Sequence, residues 1–184
     1  MEEKQKKVLG FVFAGIILVG LVLAIVGMFI GVVNSSVLGM SESVTLFDEG
    51  WAQFEGEQIE QAASLLGITL PSRTFMVLAF IVLIVGGVLV LVSALLRVFA
   101  KKNIKGLAIA GSVVTLVGAV LVLVAGIVLV GQFEDFTKIG DKMSGGMGGA
   151  SLVEYSMGAG VFLGLIGGII TGALGIVSSL KAFN

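Results

Sequence analysis

Four long stretches of apolar residues dominate the chain, and short polar segments separate them. None of the four contains Asp, Glu, Lys, Arg or His: residues 8–33, 74–96, 106–130 and 155–180. Each reaches the roughly 20 residues that an α-helix needs to cross about 30 Å of hydrocarbon. Because a spanning segment must satisfy its backbone hydrogen bonds internally, we expect four transmembrane helices. The predicted fold class is an all-α integral membrane protein, an antiparallel four-helix bundle with small extracellular segments.

The two longer connections differ in their patterns. Residues 34–73 contain ESVTLF (42–47), which alternates weakly and predicts a short strand. After it, apolar positions at i, i+3, i+4 and i+7 predict a short amphipathic helix with this face: Ile59, Ala62, Ala63 and Leu66. Gly67 and Pro71 suit the end of that helix. Residues 131–154 combine charged positions with SGGMGG, which is typical of a flexible connection.

Charge is distributed unevenly, although the formal net charge is only −1. Four spans place both termini (1–7 and 181–184) and the short loop 97–105 on one side. That side carries eight of the 11 Lys and Arg residues and two of the 12 acids. Because Lys and Arg near span ends are retained in the cytoplasm, we predict a multi-pass protein of the cell membrane with both termini cytoplasmic. Membrane lipids are its predicted partners, and no nucleic acid is expected.

Small residues follow regular spacings in the last apolar stretch. One series has steps of four and three: Gly164, Gly168, Thr171, Gly175 and Ser178. A second repeats the G-x-x-x-G step: Gly160, Gly164, Gly168 and Gly172. The first stretch has a similar series: Gly20, Ala24, Gly27 and Gly31. In lipid, helices associate through close backbone approach, which small residues permit. These faces either only close the bundle or also provide surplus surface for contact between subunits.

Candidate chemistry is sparse. The chain has no His and no Cys, and its apolar stretches contain no acidic or basic side chain that could serve a proton relay or ion path. We therefore predict no enzymatic activity and no cofactor. A passive pore lined by glycine and hydroxyl groups stays open as an alternative. Five acids of the first connection could bind Ca²⁺, but without EF-hand spacing we favour a solvated acidic surface and predict no metal: Asp48, Glu49, Glu55, Glu57 and Glu60.

The single tryptophan, Trp51, lies in FDEGWAQF. An aromatic side chain near the membrane–water boundary commonly anchors the protein in the interface. Anchoring or local packing is favoured for Trp51, because Phe47 and Phe54 offer nearby partners; a contact between subunits or cells is the alternative.

The layout as a whole resembles the claudin and peripheral-myelin type of tetraspan protein. The resemblance covers the four helices, the internal termini, the larger first connection and, within it, EGW (49–51), which is similar to the Gly-Leu-Trp element of that family. The cysteine pair that follows this element in the family is absent here. The resemblance implies lateral polymerisation in the membrane, with adhesion or paracellular sealing as associated roles.

These patterns together predict a non-enzymatic protein that forms a homo-oligomer and organises or shapes the membrane or cell surface. The alternative is a channel, or an accessory subunit of a complex with other membrane proteins.

Overall fold

The computed structural model describes residues 3–37, 40–54, 57–67, 69–100, 104–143 and 153–180. Within them the chain forms five α-helices, three β-strands and a 3₁₀ helix. The helices are α1 (Glu3–Phe29), α2 (Glu57–Leu66), α3 (Thr74–Ala100), α4 (Lys105–Met143) and α5 (Ala159–Leu180). The strands are β1 (Val33–Val37), β2 (Met40–Val44) and β3 (Val153–Met157), and the 3₁₀ helix is Glu49–Phe54.

Four of these helices are long and apolar enough to cross a membrane. The candidate spans are Lys7–Phe29, Thr74–Ala100, Lys105–Thr137 and Ala159–Leu180. They agree with the four apolar stretches and support a multi-pass membrane protein. In the bundle, α1 packs mainly on α5 and α3, while α4 packs on α3 and α5.

Several helix boundaries differ from those predicted, and three of the differences lie where α1 and α4 end and where α5 begins. The first helix ends at Phe29, so residues 30–33 are not helical and Val33 begins β1. The last helix begins at Ala159, because residues 155–157 belong to β3. The third spanning helix does not end near residue 130 but continues as α4 to Met143. Hydropathy alone misplaces the end of α4. A helix that is covered by protein on one face needs apolar residues on that face only, so it can continue beyond its wholly apolar part.

A small antiparallel sheet corrects the all-α prediction. Its strand order is β2-β1-β3, and Val33 lies opposite Val44 on one side and Met157 on the other. A strand was predicted at residues 42–47, and the structure has one, β2, whose bounds lie two to three residues earlier, at Met40–Val44. The sheet lies where α1 ends and α5 begins. We call this the sheet end of the bundle, and the opposite end the Arg97 end.

The predicted helix in the first connection is confirmed as α2, and it ends at Leu66, directly before Gly67. Gly67 has a φ of 67°, a left-handed conformation that glycine adopts without a Cβ clash. Of the predicted apolar face, Ala63 is buried. The side chains of Ile59, Ala62 and Leu66 lie outside the described part of the chain, as do residues 144–152 with the SGGMGG segment, Lys101 and Lys102, and the C-terminal residues 181–184.

Candidate functional site

The small faces of α1 and α5 meet directly. A Cβ added to Gly27 would lie 2.6 Å from the carbonyl oxygen of Gly160, and one added to Gly20 would lie 2.5 Å from Thr171 Oγ1. Ala24 is fully buried in the same contact region, where a Cβ on Gly167 would lie 2.8 Å from its backbone nitrogen. The two backbones therefore approach as closely as the absence of side chains allows, which is the predicted use of these positions.

The other predicted positions of α5 face α3 and α4. A Cβ on Gly168 would lie 2.6 Å from the Cβ of Ala119, and one on Gly172 would lie 2.6 Å from Leu116 Cγ. Gly164 is similarly covered, with Phe80 Cε1 at 2.7 Å from the added Cβ. The fifth helix is thus enclosed on two sides by its own chain.

Gly175 lies further along the same face, towards the Arg97 end. An added Cβ there would lie 2.8 Å from Val90 Cγ1 and would also meet the hydroxyl of Ser112. This glycine therefore lets α5 approach α3 and α4 together.

Every predicted position on α5 is buried within one chain: Gly160, Gly164, Gly168, Thr171, Gly172, Gly175 and Ser178. The interpretation in which small faces close the bundle accounts for all of them. None of these positions is left exposed to a second subunit.

Gly31 is the exception among the predicted helix-packing residues. It follows the end of α1 and packs against the Cβ of Ser43 in β2 rather than against a helix. Its carbonyl oxygen accepts a hydrogen bond from the backbone N–H of Gly160 at 3.0 Å. Gly31 therefore joins α1, the sheet and α5, a role that spacing along α1 did not predict.

The buried hydroxyl groups are satisfied by backbone carbonyls. Most donate within their own helix, as Ser112 does to Ala108 at 2.7 Å and Thr115 to Gly111 at 2.8 Å. Thr171 instead donates across the contact, to the carbonyl oxygen of Ile17 in α1 at 3.4 Å. Helix packing thus accounts for these groups.

Trp51 is a core residue of the sheet end, which corrects its prediction as an interface anchor. Its side chain is only 2% exposed, so the indole contacts protein rather than headgroups. The Nε1–H donates to the carbonyl oxygen of Thr45 at 2.7 Å. The ring meets Phe54 and Phe133 edge-on, with centroid distances of 6.3 and 5.8 Å. Local packing was the accompanying interpretation, and it is the one that the contacts support.

Trp51, Phe54, Phe133 and Tyr155 form what we call the aromatic cluster. Phe133 of α4 stacks on Tyr155 of β3 with centroids 5.3 Å apart, and meets Phe54 edge-on at 5.7 Å. The cluster joins the 3₁₀ helix, α4 and β3. Burial disfavours the tyrosinate and raises the pKa of Tyr155.

Sequence reasoning missed the packing of Phe133, which is buried, and of Tyr155, which is partly buried against the same core. It assigned Phe133 to the second connection, residues 131–154, and Tyr155 to the start of a span. One signal was present: Leu129, Phe133 and Phe136 recur at i, i+4 and i+7, the spacing of a helical face that continues past residue 130.

Phe29 and Phe47 form an exposed pair where α1 ends. Their rings stack with centroids 5.0 Å apart, and they remain 62% and 52% exposed. Because Phe29 is the last residue of a candidate span, this pair has the position that was predicted for Trp51.

The acids of the first connection do not form a metal centre among the described residues. Asp48 Oδ1 accepts the backbone N–H of Gly50 at 3.0 Å, at the start of the 3₁₀ helix. Glu49, Glu57 and Glu60 are exposed, and Glu55 lies outside the described ranges. No group of three or more metal-ligating side chains occurs in the residues that the structure describes.

Comparison with known proteins finds no protein-family model, curated protein or solved structure that matches this chain.

Proposed function

We propose that the chain is a non-enzymatic tetraspan protein of the cell membrane that self-assembles and organises or shapes the membrane surface. The closed bundle carries this proposal. Its interior is filled by apolar side chains such as Leu83, Val90 and Val122, each at most 1% exposed. Its buried hydroxyls donate to backbone carbonyls. Such an interior favours a structural role, because it offers no acidic or basic group for proton transfer or ion binding.

The sequence in which residues of α1 meet residues of α5 supports an antiparallel arrangement of the two helices. Gly27 approaches Gly160, whereas Gly20, earlier in α1, approaches the later Gly167. The excess of Lys and Arg near the Arg97 end supports a cytoplasmic location for that end and for both termini. The sheet end is then extracellular, and lipids surround the exposed apolar faces of the helices.

We place the contact between copies at strand β2. Since the small faces are covered within one chain, assembly needs a surface that one chain leaves open. Within the described residues β2 lies at an edge of the sheet, and Met40 is 74% exposed there. An edge strand presents a row of backbone N–H and C=O groups to which another chain can pair. Assembly through this edge agrees with the lateral polymerisation that the claudin and peripheral-myelin resemblance implies.

Charge added to the edge tests this assignment. Met40→Lys with Ser41→Lys places two cations on β2 and should convert oligomers to monomers, because lysines on an edge strand oppose further pairing. The matched control, Gln61→Lys with Ser64→Lys, adds the same charge to exposed positions of α2. Native mass spectrometry in mild detergent and cross-linking in nanodiscs report the oligomer distribution.

The outcomes separate the alternatives. Monomeric wild-type protein in both detergent and nanodiscs would refute self-assembly, and oligomers that persist in the edge variant would refute the role of β2. Conductance in reconstituted bilayers would favour the channel, with its pore between copies because the bundle axis is filled. A different membrane protein that co-purifies in fixed ratio would favour an accessory subunit.

A further inference from the structure

Strand β2 uses alternate residues to bond β1. The carbonyl oxygen of Val44 accepts the backbone N–H of Val32 at 2.8 Å, just before β1 begins. Glu42 has the same orientation, because its carbonyl oxygen accepts a serine hydroxyl of β1 at 3.4 Å. In an antiparallel ladder the residues between such positions turn their N–H and C=O groups away from the partner. The free edge of β2 therefore presents the backbone groups of Ser41 and Ser43.

This edge is accessible along the strand. Four of the five residues of β2 are exposed: Met40, Ser41, Glu42 and Ser43. In the described part of the chain β1 pairs with β2 on one side only, because the strand order is β2-β1-β3. The strand also carries a single charge, the carboxylate of Glu42.

The β2 strand of a second copy fits this edge. If two β2 strands pair antiparallel with Ser41 of each opposite Ser43 of the other, the N–H and C=O groups of both residues find partners. In this register every residue of β2 lies opposite a residue of the other β2. A slip by one residue would instead turn the facing side chains to opposite faces of the joined sheet.

The strand at the other end of the sheet, β3, fits the edge less well. Strands β2 and β3 both run antiparallel to β1 and are therefore parallel to each other. Copies that are related by a sideways shift would pair β2 with β3 as a parallel ladder, which is less stable per residue.

The antiparallel register places a two-fold axis at Glu42. The two Glu42 residues then form a pair without backbone hydrogen bonds, in which the Cα atoms lie about 4.5 Å apart and the side chains are close. Like charges that are directly opposite destabilise a strand pair, and charges on an edge strand oppose pairing in general. Glu42 thus lies where its charge has the largest effect on the contact.

We propose that two copies pair through β2 as an antiparallel ladder centred on Glu42, and that the two opposed carboxylates keep this contact weak and reversible. The proposal rests on the proposed self-assembly through β2, and it adds the partner strand, the register and the control by charge. Because the pairing uses the β2 edge of both copies, the interface is closed, and by itself it forms a dimer.

Single cysteines test the pairing, since the chain has no cysteine of its own. Glu42→Cys should form a disulfide with its own copy under mild oxidation, because the Cα distance of the facing pair suits one. Met40→Cys is the control. Met40 is 74% exposed, but in this register its two copies lie about 14 Å apart, beyond the reach of a disulfide. Gels without reductant show the cross-linked dimer.

A mixture of two variants tests the register. Met40 lies opposite Val44 of the other copy, so Met40→Cys and Val44→Cys, carried on full chains with different tags, should cross-link to each other. Neither should cross-link to itself. Self-cross-linking of Ser41→Cys or Ser43→Cys in place of Glu42→Cys would overturn the register.

Neutralising the charge tests the control by Glu42. Glu42→Gln should tighten dimerisation about two- to fivefold, the range expected for the removal of directly opposed charges. Glu49→Gln removes the same charge from an exposed position outside β2 and should leave dimerisation unchanged. Native mass spectrometry over a dilution series in mild detergent measures both, and the fluorescence of Trp51 during thermal unfolding shows that both variants fold.

The outcomes separate this proposal from the self-assembly on which it rests. Oligomers that persist while Glu42→Cys stays without a cross-link would overturn the β2 pairing alone. Dimerisation that is equal in Glu42→Gln and wild type, or tightened equally by Glu49→Gln, would overturn the control by charge. Wild-type protein that is monomeric in detergent and nanodiscs would instead refute self-assembly itself.

Discussion

Gly15 and Gly20 lie five positions apart on α1 and have opposite surroundings. A Cβ added to Gly15 meets no atom within 4 Å, whereas one added to Gly20 meets Thr171 Oγ1 at 2.5 Å and the carbonyl oxygen of Gly167 at 2.9 Å. The backbone of Gly167 cannot move away without shifting α5. The two glycines therefore form a matched pair in one helix.

We predict that Gly20→Ala lowers the free energy of unfolding by about 1–3 kcal/mol, the usual cost of overpacking a closed contact. Gly15→Ala should leave it unchanged or raise it slightly, because alanine favours the helix and nothing opposes its methyl group. Thermal unfolding in one detergent, followed by the fluorescence of Trp51, compares the two variants. Equal stability of both would contradict the close approach of α1 and α5.

Tyr155 is the only tyrosine in the chain, so ultraviolet absorbance reports its ionisation directly. Burial raises its pKa above the value of about 10 for a free tyrosine. The folded protein therefore holds this proton more tightly than the unfolded chain does. Its contribution to stability is complete below pH of about 10 and is lost as the pH rises through the folded pKa.

We expect the absorbance midpoint of Tyr155 to fall when the protein is unfolded in denaturant. Tyr155→Phe should remove this part of the alkaline destabilisation. A midpoint that is the same in the folded and unfolded protein would show that the aromatic cluster does not shield the phenol.

The aromatic cluster connects the 3₁₀ helix, α4 and β3, so its central residue should control the stability of the sheet end. Trp51→Ala should cost about 3–5 kcal/mol, as expected when a buried aromatic side chain is removed. Trp51→Phe keeps most of the packing and should cost less, about 1 kcal/mol of it from the lost bond to Thr45. Thermal unfolding of both variants is followed by circular dichroism, because neither variant keeps the tryptophan whose fluorescence would otherwise report unfolding.

The control is Phe47→Ala, which removes a ring that is half exposed and outside the cluster. It should change thermal unfolding in detergent little. A loss as large as that of Trp51→Ala would place the stability of this end in the Phe29–Phe47 pair instead.

The spanning helices could be predicted because each depends on a local property, an apolar run longer than the hydrocarbon thickness. The small faces of α1 and α5 could also be predicted, since glycine spacing is local. Which helix each glycine touches could not, because the same spacing suits a neighbour in the chain or in another subunit.

The sheet could not be predicted from short sequence patterns, because two of its paired strands come from distant parts of the chain. Strand β1 has the sequence VNSSV, and its partner β3 lies more than a hundred residues away, so no short-range pattern links them. Of the two interpretations favoured for Trp51, local packing is supported and anchoring is not, and its sequence position near a span does not reveal that Phe133 of α4 covers it. Arg97 was predicted to begin the loop 97–105, but α3 continues to Ala100, and the bond of Arg97 to Ser178 depends on how α3 and α5 pack.

The arrangement of the chain across the membrane can be measured directly, because the protein has no cysteine. Single cysteines at exposed positions of the two ends, Ser41→Cys in β2 and Lys105→Cys in α4, provide unique labels. We predict that a membrane-impermeant maleimide labels Ser41→Cys on intact cells and Lys105→Cys only after permeabilisation. The reverse pattern would place the termini outside and contradict the charge argument.

Strand β1 follows α1 after three residues, and Gly158 alone separates β3 from α5. The N–H of Gly158 donates to Val32 at 2.8 Å, and that of Val32 donates to Val44 at 2.8 Å, so these connections are tied to one another. Because these connections are short and hydrogen-bonded, a force applied to the sheet by a bound second protein would be transmitted directly to α1 and α5. The glycine contact between these two helices would bear that force as shear.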